Sequence, residues 1–95
     1  MAAYLIAHVN VKDPVAYEEY KKTVPASIEK YGGKYVVRGG RHEGLEGSWK
    51  PTRLAVIQFP SMDHAKRWYE SEEYRAVKAI RVKHAVSDLV LVEGV

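Results

Sequence analysis

Four histidines are the first groups in this 95-residue chain that could do chemistry: His8, His42, His64 and His84. No two are spaced by two, three or four residues. Metal sites are usually built from tightly spaced ligands, so the spacing gives no metal site. There is no cysteine, which removes thiolate nucleophiles, thiolate ligands and disulfides. His8 lies in an apolar run and shares a strand face with Tyr4, Ile6 and Asn10. A histidine in that setting can transfer a proton or simply hydrogen-bond within a core or interface. His42 is the second candidate for proton transfer. Arg38 closes the run Tyr35-Val36-Val37. An arginine beside a partly apolar pocket suits a carboxylate or phosphate, and suits a rim salt bridge with a glutamate equally well. Even spacing puts Arg38 and His42 on one strand face, unless a bulge at Gly39-Gly40 resets the alternation. The stretch RWYESEEY contributes Trp68, Tyr69 and Tyr74. Aromatic residues so spaced are usually core, yet Trp and Tyr also wall small pockets. No nucleophile elbow or catalytic carboxylate pair is present.

These residues need elements to position them. Residues 3–11, AYLIAHVNV, read as a first strand, ended by Asp13-Pro14, a helix cap followed by a first-turn proline. Tyr17, Tyr20, Val24, Ile28 and Tyr31 then step along one face of a helix. Pro25 within it should kink or split the helix, and Gly32-Gly33 ends it. Residues 34–43 form a second strand, residues 53–59 a third, and Ser61 caps a second helix. A break near Ser71 leads to a further helical piece ending near His84, and residues 86–93 form the last strand.

The stretch YGGKYVVRGG has the glycines of a phosphate loop but not its context. It lacks G-x-G-x-x-G and the Lys-Ser/Thr pair, and its first glycine pair follows a helix instead of opening one. The element order β-α-β-β-α-β is that of the ferredoxin-like split motif. It predicts an α+β fold: one four-stranded antiparallel sheet in a single domain, residues 1–95, with the helices on one face.

Leu5, Ala7, Val9 and Val11 share one face of the first strand, but the opposite face carries Tyr4 and Ile6. The third and last strands are likewise apolar on both sides. Helices cover one face, and the other would leave a large apolar patch in water. A second copy of the sheet is the simplest cover, giving a symmetric homodimer.

Net charge is +3, with 46% hydrophobic and 28% charged residues, an ordinary globular profile. The densest basic cluster, Arg75 to Lys83, follows Glu70, Glu72 and Glu73, an order that complements a helix dipole. It is therefore read as a helix end and not as a nucleic-acid face. The N-terminus lacks the basic region of a signal peptide, and no apolar run approaches a membrane span. The expectation is a cytoplasmic protein with no membrane partner and no cofactor machinery.

YGGKYVVRGG, EGSWKPTRLAVIQFPS, RWYESEEY and SDLVLVEG together, in this order, resemble the bacterial family known as domain of unknown function 1330. The resemblance spans nearly the whole chain. It implies membership of the dimeric α/β-barrel group, in which two ferredoxin-like sheets face each other. That group includes cofactor-independent monooxygenases, muconolactone isomerases, haem-binding enzymes and stress-responsive proteins, so it does not fix a reaction. The family's recurring positions match Gly33, Arg38, Gly39, Gly47, Phe59, Trp68, Ser71 and Tyr74. The reading that joins these observations is a small-molecule site. Trp68, Tyr69 and Tyr74 would wall it, Arg38 would hold an anionic group, and His8 or His42 would move a proton in a cofactor-free oxygenase or isomerase. The alternative is a non-catalytic dimeric module for ligand sensing or protein interaction.

Overall fold

The computed structural model describes every residue from Met1 to Val95. The elements follow the order β1 (Ala3–Val11), α1 (Pro14–Lys30), β2 (Lys34–Arg38), β3 (Leu54–Phe59), α2 (Met62–Glu70), α3 (Glu72–His84) and β4 (Ala85–Glu93). The strands pair antiparallel in the order β2-β3-β1-β4. This is the ferredoxin-like α+β arrangement, with the central strand β1 paired along its length to β4.

Period-two alternation decides which side of the sheet is core. Ala3, Leu5, Ala7 and Val9 of β1 and Ala55, Ile57 and Phe59 of β3 are buried beneath the helices. The helices contribute Tyr17, Tyr20, Val24, Ile28, Ala65, Trp68 and Tyr74 to the same core. On the opposite face Val86, Val90 and Val92 of β4 are 62%, 57% and 45% exposed, so that face is apolar and open in the single chain.

Caps set the helix ends. Asp13 accepts from the Ala16 amide at 3.1 Å, with Pro14 in the first turn. Ser71 serves two helices at once. Its hydroxyl donates to the Trp68 carbonyl, ending α2, and accepts from the Tyr74 amide, opening α3. The two glycines after α1 do different jobs. Gly32 takes the left-handed turn at φ 80°. A Cβ on Gly33 would stand 2.6 Å from the Phe59 ring and 2.7 Å from Ile28, so the helix and sheet need glycine to approach.

Three expectations are corrected. The second strand stops at Arg38 instead of running to residue 43, because Gly39 leaves the β region at φ 68°. The bulge lies between Tyr35 and Val37, ahead of the glycines. Pro25 does not split α1, which runs unbroken from Pro14 to Lys30. A proline removes the amide that would bond the carbonyl four residues back, here that of Lys21. Arg38 Nη2 donates to that carbonyl at 2.6 Å instead.

Candidate functional site

Between the sheet and the helices the core contains a small cavity of about 30 Å³, room for a water. Its floor is apolar: Leu5, Ala7, Ala55 and Ile57. Its walls are not. Tyr17, Tyr20, Tyr35 and Tyr74 line it, together with Lys21, Arg38, Arg53 and Arg81, and no Asp or Glu does. Lys21 pairs outside with Glu18 at 3.1 Å, whereas none of the three arginines has an acidic partner. Arg81 is only 6% exposed. A buried cation without a counter-ion is costly, so Arg81, joined at one cavity by the half-buried Arg53 and the exposed Arg38 with no acid among them, is the unusual feature of this molecule.

Helical spacing delivers part of this set. Tyr17, Tyr20, Lys21 and Val24 recur at helical intervals on α1, and Tyr74 and Arg81 sit two turns apart on α3. The bulge delivers Tyr35 and Arg38. Tyr35 stands opposite Ile57 and Arg38 opposite Ala55, both partners on the buried face. Without the extra residue, Tyr35 and Arg38 would point to opposite faces. With it, the Arg38 guanidinium lies 4.6 Å above the Tyr35 ring.

Arg81 Nε donates to the Tyr74 hydroxyl at 3.1 Å, and the Tyr74 and Tyr20 hydroxyls are 2.8 Å apart. Two hydroxyl hydrogens serve that one Tyr–Tyr bond, and neither hydroxyl reaches another protein acceptor. One O–H is therefore uncommitted. Burial, reinforced by Tyr74, pushes the Tyr20 hydroxyl far above its usual range. Burial likewise raises Tyr17 and takes Tyr35 up to about 12, against the opposing pull of Arg38 on Tyr35. Burial by itself opposes the Arg81 charge, but the phenolic oxygens of Tyr74 and Tyr20 outweigh it and the guanidinium is held protonated. At neutral pH these groups are proton donors. The arrangement favours an oxyanion and offers no base.

Of the residues singled out in the sequence, Arg38, Trp68 and Tyr74 line this cavity. Trp68 is 1% exposed, its Nε1 donates to Ser27 Oγ at 3.0 Å, and its ring lies 4.0 Å from that of Tyr74. Tyr69 sits outside, under the Lys78 ammonium, which holds its hydroxyl below the usual range. It borders a separate cleft against Leu5, Leu89 and Leu91.

His8 and His42 are elsewhere. Ala7 and Val9 face the cavity, so alternation turns His8 to the open side of the sheet. Its Nε2 accepts from the Thr52 amide at 3.1 Å, its ring meets Trp49 edge-on, and its Nδ1 is 4.0 Å from Asp88. His42 Nε2 donates to the Pro51 carbonyl at 2.8 Å. Both histidines tie down the 39–53 connection. No group of three His, Asp or Glu side chains is placed to hold a metal ion, and no helix is long and apolar enough to cross a membrane.

Tyr17, Tyr20, Tyr35, Arg53 and Arg81 were not singled out by sequence reasoning. The seven-residue step from Tyr74 to Arg81 was the available signal, since it puts Arg81 on the buried face of α3. A helix-dipole reading of the basic cluster obscured it.

Comparison with known proteins agrees with this fold. No curated protein matches the chain. A protein of unknown function from Rhodopseudomonas palustris superposes with a TM-score of 0.79 at 20% identity, covering 99% of this chain and 82% of that one. SnoaB, a cofactor-independent oxygenase from Streptomyces nogalater, gives a TM-score of 0.68 at 12% identity, covering 99% and 93%. A dimeric protein of unknown function and ferredoxin-like fold from Bacteroides fragilis gives 0.58 at 12% identity, covering 98% and 96%. At these identities the likeness is one of fold. The profile of the family described as Domain of unknown function (DUF1330) matches residues 2–95. The chain belongs to that family.

Proposed function

We propose that the protein binds a small, partly apolar oxyanion in the cavity between sheet and helices. The observation that carries this reading is the convergence of Arg38, Arg53 and Arg81, without an acid among them, on a wall of four tyrosines. Arg81 and the uncommitted Tyr20/Tyr74 hydrogen would meet the anion, and Trp68 and the apolar floor its body. Tyr17, Lys21 and Arg53 are shared with an outer cleft of about 130 Å³. That cleft is the entry route, and a ligand larger than water displaces these side chains as it enters.

The wall holds neither histidine nor carboxylate to take a proton. Binding without turnover is therefore the first reading. Cofactor-independent oxygenation or isomerisation fits only a substrate that arrives already ionised. The working assembly is a homodimer joined through the open sheet face, a reading supported by the exposed valines of β4 and by the dimeric relative of the same fold.

Thermal melting with small carboxylates tests the site. Sodium benzoate and other aromatic acids should raise Tm. Acetate, without an apolar body, should do so less, and benzamide, without charge, not at all. Equal shifts from benzoate and benzamide would remove the anion from the argument.

A further inference from the structure

Pro25 and Arg38 belong to different elements and bear on the same carbonyl: one has no amide to give it, the other supplies a donor. Proline in the middle of a helix is ordinarily destabilising, partly through the hydrogen bond it cannot make. The carbonyl that loses its partner is Lys21 O, and it is the one that receives Arg38 Nη2 at 2.6 Å. The Tyr35 ring covers one face of the same guanidinium. Two restraints thus fix an exposed side chain at the cavity wall. One N–H of its fork is spent on the carbonyl, and the others remain for a ligand.

We propose that Pro25 is a positioning residue: by withholding its amide, it leaves the Lys21 carbonyl free to hold Arg38 at the cavity wall, ready for an oxyanion. Pro25→Ala would supply Lys21 O with a competing amide along the helix axis, which should weaken and loosen its hold on Arg38. The variant would gain a helix hydrogen bond and lose a fixed anion contact, so stability and affinity would move in opposite directions. A merely structural proline gives no such split. The affinity half rests on the anion-binding reading above, and the Arg38 half does not.

A ligand-free double-mutant cycle decides the Arg38 half. Wild type, Pro25→Ala, Arg38→Ala and the double variant are compared by thermal melting. The Arg38 Nε–H signal of wild type and Pro25→Ala is followed by ¹⁵N NMR. Arg38→Ala should lower Tm by about 4–8 °C in the wild-type background, where the Lys21 carbonyl loses its only protein donor. It should lower Tm by less than half as much in the Pro25→Ala background. The Arg38 signal should be slow to exchange in wild type and broadened in Pro25→Ala, while Pro25→Ala melts no lower than wild type. Equal effects of Arg38→Ala in both backgrounds, or an Arg38 signal unmoved by Pro25→Ala, would overturn the proposal. Pro25→Gln restores the same amide and must behave as Pro25→Ala does.

Benzoate titration then tests the functional half. Its Kd should rise about tenfold in Pro25→Ala. An unchanged Kd with a mobile Arg38 would show that the positioning serves no anion, and would overturn that half. Failure of wild type to bind any of the acids would instead end the anion reading, leaving the cycle to judge Pro25 alone.

Discussion

Arg81→Met separates a binding residue from a packing residue. Arg81 is nearly enclosed, has no acidic partner and makes one hydrogen bond, to Tyr74. Methionine keeps much of its length and removes the charge. The lost hydrogen bond to a charged group is worth about 1.5–3 kcal/mol. Against it stands the penalty of holding an unpaired ion away from water, several kcal/mol in protein interiors. The two terms are of similar size and opposite sign, so the variant should melt within a few degrees of wild type, or higher. Ligand binding has no such compensation. Losing the charged donor should weaken benzoate by roughly 10- to 150-fold. In wild type, benzoate at one hundred times Kd contributes about 2.7 kcal/mol, or roughly 10–20 °C in a domain of this size. A variant with a hundredfold weaker Kd would show only about 2–3 °C at the same concentration. The assay is a pair of melts, with and without benzoate. A variant that melts far below wild type yet keeps its full benzoate shift would refute the reasoning, since Arg81 would then be a structural cation.

Gly33→Ala should lower Tm steeply, because its Cβ would meet the Phe59 ring at 2.6 Å and overpacking costs about 1–3 kcal/mol. Gly40→Ala, with nothing within 4 Å, should be silent in the same melt. Glu73 accepts from Lys30 and Tyr31, which hold its carboxyl down at about 2 against an ordinary 4.5. A depressed carboxylate stabilises the fold above its unfolded pKa, so this contribution is complete above about 4.5 and disappears as pH falls towards 2. Glu73→Gln should flatten the fall of Tm across that window, and an unaltered acid profile would show that the Lys30–Glu73–Tyr31 contact does not tie α1 to α3. Val90→Glu, on the open sheet face, should halve the mass seen by light scattering. A monomeric wild type at micromolar concentration would end the dimer reading outright.

The fold was legible because its signals are local and agree with one another. Asp13-Pro14, Gly32-Gly33 and Ser71 punctuate the chain, and the alternation in β1 and β3 marks both faces of the sheet. The second strand was misjudged where one residue's φ overrode a pattern. KYVVRGGRHE reads as one strand to residue 43, but Gly39 turns the chain after Arg38. Arg53 packs its guanidinium against the bare Gly39 Cα, a long-range reason for glycine that no local rule contains.

The site was less legible, because its composition depends on exceptions to three local rules. Strand alternation separates Tyr35 from Arg38, and a bulge reunites them. Helix-dipole logic sends Arg81 outward as a terminal base, whereas its seven-residue spacing from Tyr74 buries it. Proline should break α1, yet the gap it leaves becomes the binding point for Arg38. Each exception costs stability by itself: an unpaired strand residue, a desolvated cation, a missing helix hydrogen bond. All three bring a cation, or the ring beneath it, to one cavity. Costs of this kind accumulate where a surface is kept for something other than folding. The two histidines show the contrast. Each bonds backbone in the 39–53 connection and lies outside the cavity. Broken local rules locate this cavity better than residue types known for catalysis do.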